Sequence, residues 1–181
     1  SSASGKTTGG KLIAKKLKMK FLSSGALYRL CALKTLENKN TYNVKFINKI
    51  ANSITLKKLQ NKKLYSPEVA KLSSIIAKKP YVRKALKGFQ INFIKKSKLV
   101  VVEGRDIGSK IMPNADLKLF FTCSTKEKAK RRLREFKNLN KRISLKEVEK
   151  ALIQRDKEDT KRKISPLIMT KNAVLVDTTK L

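Results

Sequence analysis

The chain begins "SSASGKTT", and Gly5, Lys6 and Thr7 follow one another as in the second half of the pattern G-x-x-x-x-G-K-[ST]. The chemistry open to such residues is the handling of a polyphosphate. Backbone N–H groups at a helix start cradle the anion. The lysine can reach the β- and γ-phosphates, and the threonine can place its hydroxyl on Mg²⁺. A G-K-T triplet also arises by chance in a lysine-rich chain, so on the triplet alone both readings stay open. Counting back from Gly5, the pattern's first glycine falls one position before residue 1, and the strand that should precede the loop falls earlier still. The chain also stops soon after a final apolar run, where a closing helix is expected. The expectation is a domain truncated at both ends, with its first strand missing.

Three further segments carry residues suited to binding an anionic ligand. "EGRDIG" at 103–108 follows an apolar run directly, with Glu103, Arg105 and Asp106 close together. Ligands bind at the C-terminal edge of parallel strands, although a surface turn with a charge pair would read the same way. "RDKEDTKR" at 155–162 spaces Arg155, Asp159 and Arg162 to share one helix face. An ordinary solvated helix laced with ion pairs has that spacing too. "SSGALYR" at 23–29 puts Gly25 at a tight turn and Arg29 one turn into a helix, and read alone it is only a helix start. Arginine usage tilts the balance. The chain holds 36 lysines and nine arginines. Arginine's planar fork binds phosphate or a base edge bidentately, which lysine cannot copy. Arg29, Arg83, Arg105, Arg155 and Arg162 fall in or near the suspect segments, and Arg131, Arg132, Arg134 and Arg142 flank a polar break at 138–142. This usage points to a site for one polyanionic donor and a second, phosphate-bearing acceptor.

Composition narrows the chemistry further. There is no histidine, so the usual general base and zinc ligand are missing. Carboxylates, cations, hydroxyls and backbone amides must do the work. The net charge of +32 suggests polyanionic partners, but the lysines are scattered over every segment. They read as solvated faces and a compositional bias, not as a dedicated nucleic-acid surface. Cys31 and Cys123 match no metal or redox spacing and read as reduced cysteines of a cytosolic protein. The longest purely aliphatic run, "LVVV" at 99–102, is far too short to span a membrane, and no signal-peptide core is visible.

The elements that must position these residues read as alternating strands and helices. A helix follows Gly5, with Leu12, Ile13 and Leu17 on its inner side and Gly9 and Gly10 oddly placed in its interior. "FLSS" is a short strand, and a helix with Leu27, Leu30, Leu33 and Leu36 on its apolar spacing follows. The stretch 38–66 reads as a hairpin or loop lobe. Ser66 caps the next helix with Pro67 at its first position. Another helix carries Val82, Leu86, Phe89 and Phe93 on one stripe. "KLVVVEGRD" is a strand buried on both faces, and "DLKLFFTCS" is a second. Capping boxes from Ser124 to Glu127 and from Ser144 to Glu147 open two helices. "NAVLVDTT" is the last strand. Such alternation means α/β with a mostly parallel sheet.

In order along nearly the whole chain, these segments resemble the bacterial cytidylate kinase family, nucleoside monophosphate kinases of the P-loop class. "SSASGKTT" matches the P-loop, "SSGALYR" the family's D-S-G-x-x-Y-R, and "SSIIAKKPYVRKAL" its S-x-x-A-x-x-P-x-V-R. "EGRDIG" matches D-G-R-D-x-G, and "RDKEDTKRKISPL" matches R-D-x-x-D-x-x-R followed by P-L. The resemblance implies an adenylate-kinase-like parallel sheet flanked by helices, in one domain over 1–181. A monophosphate-binding lobe near 29–94 and a lid near 131–143 go with it. It implies transfer of the ATP γ-phosphate to CMP or dCMP. Ser4, Gly5, Lys6, Thr7 and Thr8 would hold ATP, and Thr7 with Glu103 would hold Mg²⁺, partly through water. Ser74, Arg83 and Asp106 would read cytosine. Arg29 and Arg105 would hold the acceptor phosphate. Tyr28, Arg155 and Asp159 would face the sugar, with Ser24 and Arg162 also on the acceptor nucleotide. Lys6, Arg105, Arg131 and Arg132 would neutralise charge during transfer. A monomeric, cytoplasmic enzyme is expected, with no membrane or nucleic-acid partner. The sequence departs from the family's pattern at Ser23 and Glu103, where the family carries Asp, and the 38–66 lobe is shorter than usual. The other readings are a monophosphate kinase for UMP or AMP, and a basic nucleic-acid-binding protein with a degenerate nucleotide site.

Overall fold

The computed structural model describes residues 3–39, 42–137 and 143–181. The polar break at 138–142, central to the expected lid, lies outside them. Seven α-helices occur among the described residues: α1 (Lys6–Lys16), α2 (Ser24–Glu37), α3 (Val44–Asn52), α4 (Pro67–Ile76), α5 (Pro80–Lys95), α6 (Thr125–Lys137) and α7 (Leu145–Lys161). The strands are β1 (Lys20–Ser23), β2 (Val100–Glu103), β3 (Lys118–Thr122) and β4 (Ala173–Asp177). They form two parallel pairs, β1 with β2 and β3 with β4, where a single sheet was expected. The fold is mixed α/β, with parallel strands flanked by helices. Expected complete burial of "VVVE" does not hold: every residue of β2 is half-buried and Leu99 before it is exposed. Among the described residues β2 pairs with β1 alone, the position of an edge strand.

The chain divides into two compact units. One comprises Ser1–Ile13 with Arg105–Leu181, the other Ala14–Gly104. The second unit is built around Leu22, Leu27, Ile47, Leu64, Ile76 and Leu86, all essentially without solvent contact. Val82 and Leu86 of the expected α5 stripe are in this core, and Phe89 and Phe93 stack beside it at 6.4 Å. The first unit has a smaller cluster, Ala129, Phe136, Val148 and Leu152, joining α6 to α7.

Local signals set most helix ends. Ser66 Oγ accepts from the Val69 N–H at 3.3 Å, with Pro67 at the first position. Ser144 and Glu147 form the full reciprocal box. Those hydrogen bonds from Ser144 hold the Glu147 carboxyl below the usual carboxylate range. The box expected at α6 is only half made. Ser124 Oγ accepts from Glu127 N–H at 3.3 Å, but the Ser124 N–H donates to Thr179 Oγ1 at 3.0 Å instead. The Glu127 carboxylate meets Arg131 at 3.5 Å.

Two expectations fail for identifiable reasons. The 38–66 stretch is not a hairpin: it holds α3, capped by Asn43 Oδ1 on the Phe46 N–H at 2.9 Å, and two 3₁₀ turns, Lys58–Gln60 and Lys62–Tyr65. Ile47 and Ile50, one turn apart, anchor α3 in the core. Leu12 in α1 and Leu17 just past its end are about three-fifths exposed, whereas Gly10 and Ala14 are buried. A Cβ on Gly9 would stand 2.9 Å from the Phe121 ring. The inner face of α1 is therefore made of its small residues, which let the helix lie directly against an aromatic ring of β3.

Candidate active site

The residues singled out from the sequence fall into a group in each compact unit. In the first unit, α1 begins at Lys6 and the loop before it turns on Gly5, whose φ of +76° favours glycine. The Gly9 N–H donates to the Gly5 carbonyl at 2.8 Å, closing the first helical turn. Ser4 is fully buried, Lys6 Nζ lies 3.4 Å from Ser4 Oγ, Thr7 is half-buried and Thr8 exposed. A helix start with a glycine turn and an adjacent lysine suits a phosphate group. Arg131 of α6 meets this loop, its Nη1 standing 3.7 Å from where a Cβ on Gly5 would be. Its guanidinium also donates to Thr178 Oγ1 at 3.1 Å and to the Thr178 and Leu181 carbonyls at 2.5 and 3.0 Å. Arg132 points elsewhere: it is buried, paired with Glu135 at 2.6 Å and placed over the Phe136 ring at 5.3 Å.

The same unit joins the two acidic-basic motifs. Arg105 forms an ion pair with Asp159, and Arg162 Nη1 lies 3.1 Å from the other Asp159 oxygen. One buried carboxylate thus holds two guanidinium forks. Arg162 does not lie on the helix face with Asp159, as the spacing suggested. It is the C-cap of α7, with extended backbone, and reaches back to Asp159 while donating to the Ser165 carbonyl at 2.6 Å. Arg155 is half-buried one turn before Asp159, and Asp156 pairs with Lys128 at 2.9 Å. Asp106 is buried where β2's continuation enters the π-helical turn Ile107–Ile111, its carbonyl accepting from Lys110 N–H at 2.8 Å. Such turns are frequent at functional sites.

In the second unit, β1 delivers Ser23 and Ser24 to the start of α2. Ser23 Oγ accepts from Ala26 N–H at 3.3 Å and its hydroxyl bonds the Glu103 carboxylate across the parallel pair. The two positions that depart from the family pattern therefore touch each other. Tyr28 and Arg83 meet, the guanidinium 5.5 Å over the ring, and Arg83 also donates to the Ala77 carbonyl at 3.0 Å. Arg29 stands 4.8 Å over Tyr65. Ser74 Oγ lies 3.4 Å from the Ala70 carbonyl of its own helix. Tyr65 and Thr178 went unnoticed in the sequence. A lone tyrosine in a lysine-rich loop and a threonine after a strand carry no spacing signal. Among the described residues no cluster of three or more His, Cys, Asp or Glu could hold a metal. Cys31 and Cys123 are free and buried, and burial pushes the Cys31 thiol up to about 12. No helix among the described residues is long and apolar enough to cross a membrane.

Parallel strands flanked by helices, with a glycine-turned G-K-T helix start, place the chain among the P-loop kinases. The family model for cytidylate kinase matches residues 1–181. The cytidylate kinase of Alkaliphilus metalliredigens is 39% identical over 189 residues, covering 98% of this chain and 86% of that protein. Those of Thermosipho africanus and Thermotoga maritima are 38% and 36% identical, each covering 99% of this chain and 84% and 87% of their own lengths. The chain belongs to the cytidylate kinase family.

Proposed function

We propose that the protein transfers the γ-phosphate of ATP to CMP and dCMP, giving ADP with CDP or dCDP. The observation that carries this reading is the Arg105–Asp159–Arg162 cluster, which brings together two motifs distant in sequence. Lysine could supply the charge there, but only arginine supplies two planar forks to one carboxylate and a phosphate.

The roles follow from the chemistry of the ligands. Lys6 and the backbone of Ser4, Gly5, Thr7 and Thr8 hold the ATP phosphates. Cytosine offers a 4-amino donor with acceptors at N3 and O2, suiting the carboxylate of Asp106 together with Arg83 and Ser74. Uracil presents O4 instead, and an ionised Asp106 repels it. Arg29 and Arg105 take the acceptor's phosphate; Tyr28, Arg155 and Asp159 face its sugar, with Ser24 and Arg162 also on that nucleotide. A hydroxyl on Thr7 and a single carboxylate on Glu103 suit Mg²⁺ that arrives with ATP, because Mg²⁺ takes most of its ligands from phosphates and water. Bound there, the ion supplies charge neutralisation of the phosphates. An acceptor phosphate oxygen attacks the γ-phosphorus in line, the bond to the ADP oxygen breaks, and no covalent enzyme intermediate forms. Lys6, Arg105 and Arg131 stabilise the charge in transit; Arg132 joins them only by turning away from Glu135 and the Phe136 ring. Catalysis is positioning plus cations. A nucleotide kinase that acts on free ATP and CMP works as a cytoplasmic monomer in this reading.

An ADP-release assay across CMP, dCMP, UMP and AMP tests the substrate. Activity without preference for the cytosine nucleotides would sink the proposal. For Asp106→Asn, kcat/KM for CMP relative to UMP is expected to fall by at least roughly tenfold while KM for ATP stays within about twofold. Equal losses on both substrates would refute base reading by Asp106.

A further inference from the structure

We propose that Thr178 is a positioning residue that sets the orientation of the phosphate loop. It sits just past β4 and is only 4% exposed. Its Oγ1 lies 3.1 Å from the Ser4 carbonyl, 3.1 Å from the Thr122 carbonyl and 3.1 Å from Arg131 Nη1. The Thr122 carbonyl already accepts the Thr178 N–H at 3.0 Å. Giving the hydroxyl proton to Ser4 therefore satisfies both carbonyls, while the hydroxyl oxygen accepts from Arg131.

The consequence for the loop is geometric. The C=O and N–H of one trans peptide point in opposite directions. Fixing the Ser4 carbonyl on Thr178 therefore turns the Gly5 N–H away from Thr178 and holds it there. A phosphate loop works through the direction of such N–H groups, and a carbonyl turned the other way would present negative charge to the anion. Gly5 has the backbone freedom to flip, since its φ is +76° and a glycine has no Cβ to resist. The restraint has to come from outside the loop, and Thr178 provides it. Thr178 also fixes Arg131, whose Nη2 donates to the Thr178 carbonyl at 2.5 Å, so loop and cation share one anchor. Valine has the same shape and would fill the space without holding the Ser4 carbonyl, while its backbone carbonyl would still take Arg131 Nη2.

This inference rests on the reading that ATP binds at the loop, and the experiment separates the two. ATP and CMP binding to the full chain are measured separately by calorimetry with Mg²⁺, for the wild type, Thr178→Val and Thr178→Ser. In Thr178→Val the Kd for ATP is expected to rise roughly fivefold to tenfold, with CMP and the ATP affinity of Thr178→Ser within about twofold of wild type. The proposal is overturned if Thr178→Val binds ATP as the wild type does, if Thr178→Ser is as weak as Thr178→Val, or if CMP affinity falls in step. Circular dichroism checks folding. Should Thr178→Val not fold, Thr178→Ala against Thr178→Ser makes the same comparison of hydroxyl with none. A wild type that binds ATP but does not phosphorylate CMP would refute the acceptor reading and leave the role of Thr178 standing. A wild type that binds no ATP would overturn both.

Discussion

Asp159 holds Arg105 on one oxygen and Arg162 on the other, with all three side chains mostly out of water. Their packing explains why arginine persists in a chain that otherwise uses lysine. Arg29 and Arg83 lie over tyrosine rings, and Arg132 over a phenylalanine. Arg131 forks onto Thr178. A delocalised, planar cation does these things and a compact ammonium does not. The arginine count in the sequence was therefore a usable signal, although it could not name partners. For Asp159→Asn we expect a loss of about 3 kcal/mol of stability, because two guanidinium groups would remain buried beside a neutral amide. Urea unfolding at neutral pH measures it; a loss within the scatter of surface substitutions would mean that both arginines find other partners. Double replacement with Arg162→Met should recover part of the loss, since one stranded cation is removed.

Gly9 and Gly88 sit inside helices in opposite surroundings. Gly9 in α1 has the Phe121 ring where its Cβ would be, at 2.9 Å, whereas Gly88 in α5 has nothing within 4 Å. Alanine is the better helix former by about 1 kcal/mol at either position. At Gly88 that gain is unopposed, and Gly88→Ala should stabilise the protein by roughly 0.5–1 kcal/mol. At Gly9 the overpacking outweighs it, and Gly9→Ala should lose about 1 kcal/mol net. Chemical denaturation of both variants checks the pair; the same sign for both would show that Phe121 yields freely. Helix ends were the most readable feature at this scale, because a cap is a contact between residues three apart. The half-made box at Ser124 marks the limit: Thr179, distant in sequence, takes the N–H that Glu127 would have taken.

The whole chain carries a net charge of +32 with no histidine to modulate it near neutral pH. Such an excess stores repulsion in the folded state that salt screens, the Debye length falling from about 30 Å at 0.01 M to about 8 Å at 0.15 M. The melting temperature should therefore rise with NaCl, by about 2–4 °C for each kcal/mol of repulsion relieved. Chloride is the salt to use, because sulfate or phosphate would also bind the phosphate loop. A melting temperature indifferent to NaCl would show that the lysines are far enough apart to be screened by water alone.

The sequence by itself determined the family, the alternation of strands and helices, the capped starts of α4 and α7, and which residue types are on hand for phosphate and base. These are written in short motifs whose spacing has a local physical cause. It misread 38–66, where the Asn43 cap and the Ile47–Ile50 pair were present but crowded by lysine and asparagine. Only the tertiary structure decided that the strands pair two by two, that α1 turns its glycines inward, that Ser23 meets Glu103, and that Thr178 touches the phosphate loop. Each of these joins residues far apart in sequence. Such contacts are set by which surfaces must leave water together, and no spacing along one segment encodes them.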